Sequence, residues 1–136
     1  SDIPLDDGLV VESGFDEAAG YRGMQTLLDR GRVPDALFAV TVPVALGAED
    51  AIRESDRPGT EQIQIYSFGQ HSMSRFFTRP HISVHQPAHE MGKTALSILL
   101  EQIDHPDRSF RDVILPTRLV EPSDIQPPYS SRAPAM

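Results

Sequence analysis

Short apolar runs alternate with amphipathic stretches along most of this sequence. Residues 9–11 are apolar and predict a short buried strand, which is followed by a turn at residues 13–15. Asp16 is a good N-cap for the next segment, in which apolar residues recur at helical spacing as far as Gly31. The pattern therefore predicts one strand and one amphipathic helix at the start of the chain.

The stretch ALFAVTVPVALGA, residues 36–48, is almost entirely apolar but contains a proline. Pro43 does not suit a central strand, because it has no N–H for the ladder, but it suits the first turn of a helix. Residues 36–40 are therefore predicted as a second strand, with a second helix from Pro43 onward. Thr41 and Val42 form the turn between them. Val42 is a poor cap at a place where Asp or Asn would add about 0.5–2 kcal/mol.

The apolar runs that follow predict further strands. In residues 62–68, isoleucines alternate with aromatic residues, so the two kinds of side chain fall on opposite faces of a third strand. Residues 82–84 predict a fourth short strand. Residues 113–120 predict two short strands divided by Pro116.

A third helix is predicted from about Pro87 to residue 103. Its apolar face carries side chains at helical spacing, namely Met91, Ala95, Ile98 and Leu99. After Pro122 the composition changes to Pro, Ser and Gln, which predicts a flexible C-terminal tail over residues 124–136.

Alternating strands and helices predict an α/β fold with a parallel sheet and helices on both faces. In such sheets, ligands bind beyond the carboxyl ends of the strands. Three turns follow predicted strands: residues 13–15, Thr41 with Val42, and Gly69 with Gln70. We expect these turns to gather at one edge of the sheet.

Composition limits the range of functions. With 136 residues, 39% of them hydrophobic, the chain suits one compact domain, and no stretch predicts a membrane span. Cysteine is absent from the sequence, which rules out disulfides and thiolate sites and suits a cytosolic protein. The net charge of −8 predicts no affinity of this chain for DNA, because phosphate binding needs clustered Lys and Arg.

Candidate chemistry is sparse. His81, His85 and His89 are spaced four apart, but a strand and a helix divide them, so no metal site is predicted. Asp16 and Glu17 are interpreted as cap and helix-dipole partners rather than as an acid–base pair. No serine-nucleophile, phosphate-loop or dinucleotide motif follows a predicted strand, so neither catalysis nor a cofactor is indicated.

Four strings occur in register: GFDEAAGYRGMQTLL, then PDALFAV with ALGA, then SFG with FFTRPHISVHQPAHEMGKTAL, then LPTRLVEPS. From about residue 8 to residue 123 they resemble the effector-binding domain of lactose-repressor (LacI/GalR) family transcription regulators, and the purine-repressor branch is the nearest. The resemblance implies a periplasmic-binding-protein-like (type I) fold, in which a small-molecule effector such as a sugar or nucleobase binds between two subdomains.

The same resemblance implies how the chain is organised. Residues 1–123 would be part of the effector-binding domain, mainly its C-terminal subdomain with a parallel sheet flanked by helices. The helix at residues 87–103 would belong to the first subdomain. Operator DNA would be bound only through an N-terminal helix-turn-helix domain that this sequence does not contain. The regulator would be cytoplasmic.

Carried over by position, the family's effector site is partly kept. Phe15 matches an aromatic residue that lines the pocket. Thr41 and Val42 stand where the family has Asn-Asp, and Gly69, followed by Gln70, stands where it has a carboxylate. These departures are interpreted either as drift or as an effector less polar than a simple sugar. Replacing Gly69 by Asp is expected to leave the fold intact unless Gly69 has a positive φ.

Two further interpretations concern partners. Arg75, Phe76 and Phe77 follow a loop, and the two rings are either core aromatics or part of a partner surface. The resemblance implies a homodimer with Leu46, Phe76 and Phe77 in the interface. The function it implies is effector sensing in a transcription regulator. The alternatives are a solute-binding protein of a transporter and, less favoured, a small α/β enzyme.

Overall fold

The computed structural model describes residues 4–69 and 71–122. It contains three helices, α1 (Glu17–Asp29), α2 (Val42–Arg53) and α3 (Ala88–Asp104). The four strands are β1 (Ala36–Ala39), β2 (Gln64–Phe68), β3 (His81–His85) and β4 (Arg118–Val120). Short 3₁₀ turns occupy Asp7–Leu9, Thr60–Gln62 and His71–Phe76. Within the described ranges, no helix combines the length and apolarity that crossing a membrane requires.

The strands form one sheet in the order β1-β2-β3-β4. β1, β2 and β3 are parallel, as predicted, whereas β4 runs antiparallel to β3 at the edge. The prediction of two strands in residues 113–120 is wrong, because only Arg118–Val120 pairs with the sheet. Residues 113–117 belong to no helix or strand, and Ile114 is almost fully exposed.

Helices α1 and α2 pack together on one face of the sheet and enclose the core. Its buried side chains come from both helices, from β2 and from the residue just before β2, and include Met24, Leu27, Leu28, Ala45, Ala48, Ile52, Ile63 and Ile65. The alternation predicted for β2 is confirmed, since Ile65 is buried while Phe68 on the other face is partly exposed. That other face also exposes Phe38 and Leu119, so among the described residues helices cover one face rather than both.

The strand predicted at residues 9–11 is absent. The chain instead forms a 3₁₀ turn at Asp7–Leu9, and Leu9 and Val10 are nearly half exposed. The side chain of Arg30 explains the difference, because its Nη1 donates hydrogen bonds to the carbonyl oxygens of Gly8 (3.1 Å) and Val10 (3.4 Å). The side chain of the residue that follows α1 thus binds backbone groups that a sheet ladder would otherwise use.

Candidate ligand-binding cleft

An open cleft lies at the carboxyl ends of β1 and β2. Its volume is about 580 Å³, and it is lined by residues 40–43, Phe68, Gly69, Met73 and Gln86. The structure therefore places Thr41, Val42 and Gly69 in one cleft, where the topology of the sheet predicted them. Met73 and Gln86 were missed, because they follow β2 and β3 in segments without a periodic signal. Gln70 lies outside the described residues.

Thr41, rather than Val42, caps the second helix. The Oγ1 of Thr41 accepts a hydrogen bond from the Val44 N–H (3.4 Å) and donates one to the carbonyl oxygen of Phe15 (3.2 Å). Val42 is the first residue of α2, so its interpretation as a poor cap is wrong. The hydroxyl of Thr41 thus stabilises the helix start and joins the two turns at this edge of the sheet.

Phe15 contacts Thr41 at this edge of the sheet through its backbone carbonyl oxygen rather than through its ring. Its ring is 74% exposed and is not among the described residues that line the cleft. The neighbouring Asp16 caps α1, as predicted, by accepting a hydrogen bond from the Ala19 N–H (2.7 Å). The role of the Phe15 ring in binding an effector remains a prediction.

Gly69 meets the condition under which a side chain is not tolerated. Its φ is +143°, and a Cβ built on it would lie 2.6 Å from Cγ2 of Val42. The backbone conformation favours glycine, and the space beside it is already filled. Gly69→Asp would therefore strain the fold, because the side chain of Val42 occupies the space that a side chain at position 69 would need.

A buried histidine ties the chain after the cleft to the sheet. His81 is 2% exposed, and its Nε2 and Nδ1 each lie 2.9 Å from a serine Oγ, those of Ser67 and Ser74 respectively. The ring stacks on Phe77 with 4.0 Å between centroids. Both ring nitrogens are therefore occupied. No cluster of three or more potential metal ligands occurs within residues 4–69 and 71–122.

Burial lowers the pKa of His81 to about 4 from its usual 6.5, and the nearby Glu49 carboxylate opposes this shift only in part. The folded state therefore binds fewer protons than the unfolded state between these two pH values. This histidine's contribution to stability is fully present above pH 6.5 and is lost as the pH falls towards 4.

We expect the free energy of unfolding to fall by about 3 kcal/mol between pH 7 and pH 4 through His81 alone. Denaturant unfolding measured across this range should show a smaller dependence on pH in His81→Gln than in the wild type. His89→Gln, which changes an exposed histidine on α3, is the matched control and should keep the wild-type slope. Equal slopes in all three proteins would contradict the assignment to His81.

A buried acidic residue of α2 binds the short connection between the 3₁₀ turn at His71–Phe76 and β3. Glu49 is 1% exposed, and its carboxylate accepts hydrogen bonds from the N–H (3.1 Å) and hydroxyl of Thr78. It also pairs with Arg79, whose Nη1 donates to the carbonyl oxygen of Thr60 (2.7 Å). Sequence reasoning missed this network, because an acidic residue in a helix ordinarily indicates a solvated face.

A second groove lies beside the cleft. It has a volume of about 320 Å³, and Leu46, Met73 and Phe76 line it together with acidic residues of α1 and α2. Two of the three predicted dimer residues, Leu46 and Phe76, are therefore neighbours. Phe77 instead turns inward, against His81 and the core. Met73 lines both this groove and the ligand cleft.

The fold and the strand-end cleft define the class of protein. The model of the periplasmic binding protein-like domain family matches residues 2–122. The chain therefore belongs to that family.

Individual relatives show which kind of protein within the family this chain is similar to. The ribose operon repressor of Haemophilus influenzae is 31% identical over 113 residues, which are 83% of this chain and 34% of the repressor. The transcriptional repressor PurR of the same species is 33% identical over 109 residues, covering 80% of this chain and 32% of PurR. These relatives confirm the resemblance to lactose-repressor-type regulators. The chain spans about a third of their length.

A solved structure agrees with this placement. The transcriptional regulator CelR in complex with cellobiose is 28% identical to this chain, with a TM-score of 0.78 over 88% of this chain and 37% of CelR. The periplasmic-binding-protein-like fold expected from the sequence is thereby confirmed.

Proposed function

We propose that this chain is the effector-sensing and dimerisation part of a cytoplasmic, LacI-type DNA-binding transcription regulator. The cleft at the carboxyl ends of β1 and β2 carries this proposal, because Thr41, Val42 and Gly69 line it together. Parallel α/β sheets bind ligands at this edge. The relatives are named as repressors, which does not favour a transporter's solute-binding protein.

The proposed mechanism is a shift between two conformations rather than catalysis. An effector in the cleft would favour one arrangement of the two subdomains, and thereby one spacing of paired DNA-binding headpieces. This chain would sense, and a helix-turn-helix domain would bind operator DNA. The net charge of −8 supports that division, since it gives no electrostatic attraction to phosphates.

We also propose that α3 packs against the first subdomain of the regulator and that residues 1–123 form part of one effector domain. The tail predicted at residues 124–136 lies outside the described residues. Within the described structure α3 has no buried residue. It exposes a series of large apolar side chains, namely Met91, Leu96, Leu99, Leu100 and Ile103. Apolar surface of this extent is typical of an interface.

The proposed homodimer places Leu46 and Phe76 in the subunit contact. They line one groove, and Phe76 is about half exposed with the guanidinium of Arg75 4.8 Å from its ring centroid. Aromatic and arginine side chains are enriched in protein interfaces. Phe77 would support this contact from beneath, because it packs on His81.

The test uses the full-length gene product and fluorescence anisotropy with DNA from upstream of its own gene. We expect the full-length protein to bind this DNA, and a bound effector to change the affinity by about 5–150-fold. This chain alone should show no binding at micromolar concentration. Thermal-shift screening of pentoses, disaccharides and purine bases supplies the candidate effectors.

The other outcomes separate the alternatives. Ligand binding by a full-length protein that never binds DNA would indicate a solute-binding protein. Chemical conversion of a bound ligand would indicate an enzyme. Either result would overturn the proposed regulatory function.

A further inference from the structure

We propose that Arg75 of one copy of this chain pairs with Glu17 of a second copy across the groove that Leu46 and Phe76 line. The inference rests on the proposed function, which places this groove in a homodimer contact. It adds the chemistry that selects the partner, namely two identical ion pairs related by a two-fold axis. Two observations carry it: the charges on two sides of the groove, and the position of the Arg75 guanidinium.

One side of the groove is acidic. Helices α1 and α2 form this side, and its carboxylates are those of Glu17, Glu49 and Asp50. Arg79 already neutralises Glu49. Arg53 likewise pairs with Asp50. Glu17 is exposed at the first position of α1, and the ion pairs among the described residues do not include it. The Glu17 carboxylate is therefore the acidic group that a cation of a partner would meet.

Another side of the groove carries a cation. Met73 and Phe76 of the 3₁₀ turn at His71–Phe76 line this side. The guanidinium of Arg75 lies over the Phe76 ring, with 4.8 Å between its carbon and the ring centroid. This cation–π contact keeps the positive charge beside a ring that lines the groove, while Arg75 remains exposed. The groove thus has a carboxylate on one side and a guanidinium on another.

A second copy of the chain matches this arrangement of charges. Every contact in a two-fold interface occurs twice, because each copy presents the same surface to the other. A two-fold axis that runs between the two charged sides therefore sets Arg75 of each copy against Glu17 of the other. Leu46 and Phe76 supply apolar surface to the same contact. Exposed ion pairs add little to affinity, so this pairing acts mainly on the choice of partner and on the register of the contact.

The experiment exchanges the two charges in the full-length protein and measures the dissociation constant of the dimer by sedimentation velocity. We expect Arg75→Glu and Glu17→Arg each to raise this constant by at least about tenfold, because each substitution sets like charges against each other twice in a dimer. An equimolar mixture of the two variants should form a heterodimer whose dissociation constant lies within about threefold of the wild-type value. The heterodimer contains one native ion pair and one pair with its signs reversed.

Arg57→Glu is the matched control, since it reverses an exposed arginine beyond the end of α2 that does not line the groove. It should dimerise as the wild type does, and melting curves check that each variant is folded. A wild type that stays monomeric at every concentration measured, single variants that dimerise as tightly as the wild type, or a mixture that forms no heterodimer would each overturn the proposed pairing.

The DNA-binding measurement separates this inference from the proposed function. A protein that dimerises through these charges but never binds DNA would refute the regulatory function and leave the pairing in place. DNA binding by a full-length protein whose charge variants dimerise normally would refute the pairing and leave the regulatory function in place.

Discussion

Replacing Glu49 by alanine is expected to lower the free energy of unfolding by about 3–5 kcal/mol, the range for breaking a buried ion pair by removing one partner. Through Glu49, α2 binds the segment between the 3₁₀ turn at His71–Phe76 and β3. Without its carboxylate, the N–H of Thr78 loses its acceptor and the mostly buried guanidinium of Arg79 loses its counter-charge. The carbonyl of Thr60 would remain as a partner of Arg79, but it carries no full charge.

Urea denaturation followed by circular dichroism measures this loss. The adjacent Asp50 provides a matched control, because it pairs with Arg53 at 2.5 Å on the surface of the same helix. Asp50→Ala should change the free energy of unfolding by no more than about 1 kcal/mol, as exposed pairs do. Equal effects of the two substitutions would mean that the Glu49 network adds nothing beyond a surface ion pair.

Replacing Gly47 by alanine is the second change with a large expected effect. Helices α1 and α2 approach so closely that a Cβ at Gly47 would lie 1.8 Å from the carbonyl oxygen of Glu17. That neighbour is backbone and cannot rotate away, so the helices must separate and disturb the core between them. We expect a loss of about 3 kcal/mol, at the upper end of the range for overpacking, in spite of the better helix propensity of alanine.

Replacing Gly92 in α3 by alanine is expected to have the opposite effect on stability. No atom lies within 4 Å of a Cβ built at Gly92, so alanine there adds helix propensity without a clash. Gly92→Ala should stabilise the protein by about 0.5–1 kcal/mol. Thermal melting of both variants should therefore show shifts of opposite sign. A neutral or stabilising Gly47→Ala would contradict the close approach of α1 and α2.

Much of the fold follows from local patterns. Helical spacing located all three helices, and Pro43 marked where the second begins because a missing N–H is tolerated only there. The position of the cleft could also be predicted from the sequence, since the carboxyl ends of parallel strands share one edge. Thr41, Val42 and Gly69 could therefore be grouped before any contact was known.

Distant contacts explain what the patterns missed. Residues 9–11 are apolar enough for a strand, yet the side chain of Arg30 binds the carbonyl oxygens on either side of Leu9. His81 and Glu49 are polar, yet each is buried because groups on other segments bind it: Ser67 and Ser74 bind His81, and Thr78 binds Glu49. The hydrophobic pattern around either residue does not show which of these groups the fold brings together.

The sequence by itself determined the α/β class, the order of helices and strands in most of the chain, and the sheet edge at which the candidate cleft lies, because hydrophobic period and turn chemistry are local properties. Only the tertiary structure decided how that edge is built. It assigned the helix cap to Thr41, turned Phe77 inward, and placed Val42 in the space beside Gly69. These outcomes depend on the volume and hydrogen-bonding capacity left by neighbours in space, which periodicity does not encode.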